Sequence, residues 1–127
     1  AAQHGITILI EPLNKYDAPN YFLSTTDQAR QVISDVGLAN IKLMFDCYHV
    51  QLMEGDIGHR LEQLLPQIGH IQFASVPDRG TPDHGELNYA HVFEVIRSLG
   101  YDAPLGAEYR PSGDTDATLG WMSMLRD

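Results

Sequence analysis

The chain has 127 residues, of which 43% are hydrophobic and 20% charged, enough for one globular core and unlike a disordered chain. Seventeen Asp and Glu against eight Lys and Arg leave a net charge of -9 with no basic stripe, so nucleic acid is not an expected partner. No apolar run reaches the ~18 residues of a membrane span, so no membrane association is expected, and the single Cys47 forms neither a disulfide nor a metal knuckle, which fits a reducing, cytoplasmic compartment.

The first residues, AAQHG, lack an initiating Met and a basic-then-apolar leader, and strand-like sequence follows at once, so the chain reads as a piece of something longer. Ile6-Thr7-Ile8-Leu9-Ile10 is an apolar, β-branched run of the kind expected for a parallel strand buried on both faces. Ser24-Thr25-Thr26-Asp27 then opens a helix with Ala29, Val32, Ile33 and Val36 at helical spacing, ended by Gly37. A second strand is predicted over Ile41–Phe45, and a second helix carries Ile57, Leu61, Leu64 and Leu65 up to Pro66. Ile71–Ala74 is the third strand; Asn88 caps a helix with Val92, Phe93, Ile96 and Leu99, closed by Gly100. Leu105–Ala107 is the fourth strand, and a final helix is predicted around Ala117–Leu125.

Four βα units in this length take about 32 residues each, whereas an eight-unit βα barrel takes about 250 residues. The expected fold is therefore α/β, a (β/α)8 TIM barrel of which residues 1–127 form one half. An open doubly wound sheet would also alternate strands and helices, but no glycine-rich phosphate loop follows any strand. Two open sheet edges would predispose the isolated chain to pair with further copies, so a homo-oligomer is a possible state.

Each strand run closes on an acid or an amide: Glu11 in ILIEPLN, Asp46 in LMFDCYH, Gln72 in GHIQFA and Glu108 in GAEYR. In a βα barrel these carboxyl ends converge on the face that carries active sites. Three carboxylates gathered there would repel one another unless a cation sat between them. The all-oxygen donor set of Glu11, Asp46, Gln72 and Glu108 suits Mg²⁺ or Mn²⁺ better than Zn²⁺. His70 shares a strand face with Gln72 and is either a further ligand or a core residue.

IEPLN, FDCYHVQ, GHIQFASVPDRG, GELNY and GAEYRP resemble the hydroxypyruvate isomerase family, within the xylose-isomerase-like barrel superfamily. The resemblance covers nearly the whole chain and implies the carboxyl-terminal half of a single barrel domain. It implies metal ligation by Glu11, Asp46, Gln72 and Glu108, with Glu11 and Glu108 as the catalytic acid-base pair. It also implies a substrate-binding place for His49 on the loop above the site. Ketose epimerases carry His where this chain has Gln72, and apurinic-site endonucleases use several His ligands around zinc, so the resemblance points away from both.

The implied reaction interconverts hydroxypyruvate and tartronate semialdehyde, moving a proton between adjacent carbons through an enediolate. Arg79 and Arg110 are candidates to hold the substrate carboxylate with a two-pronged guanidinium; Arg110, two residues from Glu108, is equally a structural ion-pair partner. Asp17 and Asp78 read as solvated loop acids, and Cys47 as a packed thiol. A 2-oxo-tetronate isomerase, a ketose 3-epimerase and an inactive metal-binding fragment are the alternatives.

Overall fold

A computed structural model describes residues 1–125. Strands β1 (Ile8–Ile10), β2 (Ile41–Asp46), β3 (Ile68–Phe73) and β4 (Leu105–Ala107) form one sheet in the order β1-β2-β3-β4, and every neighbouring pair is parallel. Strand order that follows chain order without reversal is the arrangement of a barrel; a doubly wound sheet reverses at a switch point. The helices are α1 (Thr26–Val36), α2 (Cys47–Met53), α3 (Ile57–Leu64) and α4 (Tyr89–Ser98).

Local chemistry explains the main boundaries. The Thr25 hydroxyl accepts from the Gln28 amide and the Gln28 side chain accepts from the Thr25 amide, a reciprocal cap that starts α1. Gly37, at φ 64°, ends that helix in the left-handed region, where a side chain would be strained. The Asn88 side chain accepts from the His91 amide and opens α4.

The sheet has two unlike faces because side chains alternate along a strand. Leu43 and Phe45 of β2 and Ile71 and Phe73 of β3 are buried under Leu61 and Leu64 of α3, Tyr89, Phe93 and Ile96 of α4, and Trp121. Phe73 sits at the centre, with ring centroids 5.0 Å from Phe93 and 5.6 Å from both Tyr89 and Trp121. The opposite face carries Met44, Asp46, His70 and Gln72, mostly half-buried, and this is the face that a barrel turns inward.

Several expectations need correction. Strand β1 is shorter than its apolar run and is an edge strand: Ile6 is 53% exposed and Ile8 43%, so burial on both faces is not realised. Strand β3 begins at Ile68, ahead of the expected Ile71, because Gly69 belongs to it. A Cβ on Gly69 would lie 2.5 Å from Leu9 Cδ2 and 2.7 Å from Lys42 Cβ, so the residue that disguised the strand is the one its packing requires. The segment after Ala117 is 3-10 helix, spanning Asp116–Leu125. Helix α2 has no counterpart among the expected elements, and it matters most for the site.

Candidate functional site

Strand registry brings Glu11, Asp46 and Gln72 to one end of the sheet. Asp46 lies opposite Gln72, and Gln72 lies opposite Gly106. Ile10 pairs with Leu43, so Glu11 leaves β1 on the same side of the sheet end. A Cβ on Gly106 would fall 2.8 Å from His70 Nε2 and 3.3 Å from Gln72 Cγ. The missing side chain thus leaves room for both groups. Glu108 follows β4, its amide donating to the Phe73 carbonyl at 3.0 Å.

Asp46 does two things at once. Its Oδ1 accepts from the Tyr48 amide at 2.8 Å and caps α2, turning the strand directly into a helix. Its Oδ2 has no hydrogen-bond partner. The first turn of α2 brings His49 back over the strand end, with Nε2 3.9 Å from Asp46 Oδ2 and 4.0 Å from Glu11 Oε1. His49 is therefore a buried helix residue and not a loop residue as expected. Cys47, next to Asp46, is fully buried in the main core, and burial pushes its thiol far up, so it is a packed thiol as expected.

Four buried polar atoms are left without a partner at this one place: Glu11 Oε1, Asp46 Oδ2, His49 Nε2 and Gln72 Oε1. Buried polar groups are ordinarily satisfied, so a concentration of orphans marks a place built for something else. Among the described residues, Glu11, Asp46 and His49 offer ligand atoms within 4.8 Å of one another. Burial, reinforced by the neighbouring charges of Asp46 and Glu108, raises the Glu11 carboxyl to about 7. Burial likewise raises Asp46 to about 6. Desolvation and the Arg79 charge lower His49 to about 4, so the ring is neutral. Carboxylates held against their preference for water, beside an orphaned amide oxygen, fit a hard divalent cation.

The arginines divide differently from expectation. Arg79, at φ 58°, sends Nη2 to Glu108 Oε2 at 2.5 Å and Nη1 to within 3.8 Å of Asp17 Oδ2. Its guanidinium lies 5.0 Å from the Tyr48 ring centroid. Arg110 is exposed and reaches this network through its backbone, its amide donating to the Arg79 carbonyl at 2.7 Å. Arg79, and not Arg110, is therefore the ion-pair partner of Glu108. Asp17 is an exposed loop acid as expected, but it is tied to the site, because its Oδ2 accepts from the Tyr48 hydroxyl at 2.8 Å and from Asn14 Nδ2 at 3.0 Å. Those bonds hold its carboxyl below the usual range. Asp78 does stay exposed, paired with His84 at 2.7 Å.

A parallel sheet in sequential order, with acids and an amide at its carboxyl end, defines part of a βα barrel. The chain belongs to the xylose isomerase-like TIM barrel family, whose model matches residues 1–125. It is 52% identical over 122 residues to a 2-oxo-tetronate isomerase of Cupriavidus necator, covering 96% of this chain and 47% of that protein. It is 44% identical over 124 residues to hydroxypyruvate isomerase of Escherichia coli, covering 98% of this chain and 48% of that protein. The chain thus spans about half the length of the curated relatives it matches. A crystal structure described as an AP endonuclease, family 2, from Brucella melitensis superposes with a TM-score of 0.93 at 43% identity, over 99% of this chain and 49% of that one. No helix among the described residues is long and apolar enough to cross a membrane.

Proposed function

We propose that residues 1–127 are the carboxyl-terminal half of a βα-barrel isomerase acting on a short hydroxy-keto acid, with hydroxypyruvate as substrate and tartronate semialdehyde as product. The observation that carries this reading is the convergence of orphaned Glu11, Asp46 and Gln72 oxygens at one sheet end. The isomerase names and high identities of the relatives support it. A second reading, a four-carbon 2-oxo-tetronate substrate, is favoured by the 52% identity to the protein of that name. A net charge of -9 and a site dominated by carboxylates argue against a nucleic-acid substrate.

Glu11, Asp46, Gln72 and Glu108 would hold the cation, Mg²⁺ or Mn²⁺, and a reducing cytoplasmic compartment fits the lone buried Cys47. Such a cation supplies a Lewis acid for the substrate's two adjacent oxygens. Glu11, raised to about 7, is poised near neutral pH both to take a proton from one carbon and to return one. Glu108 comes from the far strand of the sheet, so the two carboxyls flank the site and serve as its acid-base pair. Arg79 spans the ground between Glu108 and Asp17 and is placed to receive the substrate carboxylate. His49 sends Nε2 into the site between Glu11 and Asp46 and contacts a substrate oxygen.

The test is a kcat/KM comparison of hydroxypyruvate, 2-oxo-tetronate and a ketohexose with the full-length protein and Mn²⁺. Hydroxypyruvate in front supports the first reading and 2-oxo-tetronate the second; a ketohexose ahead of both would overturn the acid-substrate assignment.

A further inference from the structure

The Asn14 side chain is wholly buried, and every one of its hydrogen-bonding positions is taken. Its Oδ1 accepts from the backbone amides of Tyr16 at 3.0 Å and Asp17 at 2.9 Å. A backbone N–H only donates, so this end of the amide is the oxygen and the other end is the NH2. That NH2 donates to Asp17 Oδ2 at 3.0 Å and lies 2.7 Å from His49 Nδ1. The backbone amide of Asn14 also donates to His49 Nδ1, at 3.0 Å. Two donors converge on one ring nitrogen, which is therefore the bare, accepting one. The ring proton has to sit on Nε2, and Nε2 is the atom aimed, unpartnered, between Glu11 and Asp46.

We propose that Asn14 is a positioning residue that locks His49 as its Nε2–H tautomer, making the ring a hydrogen-bond donor in the site and keeping it out of the cation's ligand set. A nitrogen that carries a proton has no free lone pair for a metal. His49 is thereby separated from Glu11 and Asp46, although ligand atoms of all three lie within 4.8 Å of one another. The catalytic part of the proposal rests on the isomerase reading above, whereas the tautomer does not.

The test is a two-bond ¹H–¹⁵N correlation spectrum of the histidine rings in the full-length protein, metal-free and with saturating Mg²⁺. Expected is a His49 ring with the proton on Nε2 in both samples. A proton on Nδ1, or on both nitrogens, overturns the proposal. In the Asn14→Asp variant a carboxylate replaces the NH2 donor and draws a proton to Nδ1, and kcat on hydroxypyruvate falls at least ~10-fold with KM changed less than about 3-fold. A variant ring that keeps Nδ1 bare would show that the side chain does not set the tautomer. Should that variant fail to fold, the wild-type spectrum decides alone. An Nε2–H ring in a protein inert toward every keto acid offered supports the lock and removes the isomerase reading.

Discussion

Replacing Asp46 by Asn separates the cost of the site from its use. The amide keeps an oxygen for the Tyr48 N–H, so the cap on α2 survives, and the charge at the orphaned Oδ2 is lost. The wild-type carboxyl is raised from 3.8 to about 6, chiefly by burial. Above pH 7 the fold therefore carries a carboxylate it would rather protonate, and about two pH units at ~1.4 kcal/mol each set the penalty near ~3 kcal/mol. Burying an NH2 in place of that oxygen costs part of the gain, leaving about 1–2 kcal/mol. In EDTA at pH 8 the variant should melt about 2–8 °C above wild type, at ~2–4 °C per kcal/mol for a domain of 150–250 residues. Below pH 4, where the wild-type carboxyl is protonated in the fold, the advantage should shrink toward zero. Saturating Mn²⁺ should reverse the order, since ligand at about 100 times its Kd adds about 2.7 kcal/mol to the wild type alone. Paired thermal melts of the full-length proteins measure all of this. A variant that melts below wild type in EDTA at pH 8 would mean that the buried charge carries no penalty.

Glu108→Gln should keep the fold, as judged by circular dichroism, and lower kcat by about 10²–10⁴-fold, the range for removal of a general acid-base group. Gly106→Ala places a methyl 2.8 Å from His70 Nε2 and 3.3 Å from Gln72 Cγ; denaturant titration should find about 1–3 kcal/mol of destabilisation, and calorimetry weaker Mn²⁺ binding. Because Glu11 and Asp46 are raised to about 7 and about 6, cation binding should release protons and weaken as pH falls from 8 to 6. The same calorimetric titration in buffers of different ionisation enthalpy counts those protons, and an affinity flat with pH would contradict the assignment. In the metal-free protein the raised pKa values give the opposite stability trend: the fold holds more protons than the unfolded chain, so stability should drop between about pH 4 and 7, a fall that melts in EDTA will register.

What the sequence disclosed follows the range of the interactions involved. Caps and periodic apolar faces are local, so α1, α4 and the cores of β2 and β4 were legible from Thr25, Gly37, Asn88 and the branched runs. Strand ends are local too, which is why Glu11, Asp46, Gln72 and Glu108 are legible in the sequence. Helix α2 was hidden because Asp46 is at once the last strand residue and the cap, leaving no turn residues between the elements. The start of β3 was hidden by Gly69, whose purpose lies in two other strands. The Asn14–Asp17–His49 arrangement was beyond reach for the same reason: Asn14 and His49 are 35 positions apart, and nothing in IEPLN alone says which ring its Asn will hold. Arg79 was recognised as a site residue, but its pairing with Glu108, 29 positions on, needed the fold.

On the proposed reading, the acids and amide at this sheet end move a proton between adjacent carbons of a short keto acid with the help of a divalent cation. The most direct measurement is proton NMR of hydroxypyruvate in D₂O with the full-length protein, first with Mg²⁺-loaded enzyme and then with excess EDTA. Deuterium entering the C3 position, with aldehyde product appearing, in the Mg²⁺ sample and vanishing in EDTA, is the predicted result. Exchange that continues undiminished in EDTA, or none with either hydroxypyruvate or 2-oxo-tetronate, would contradict it.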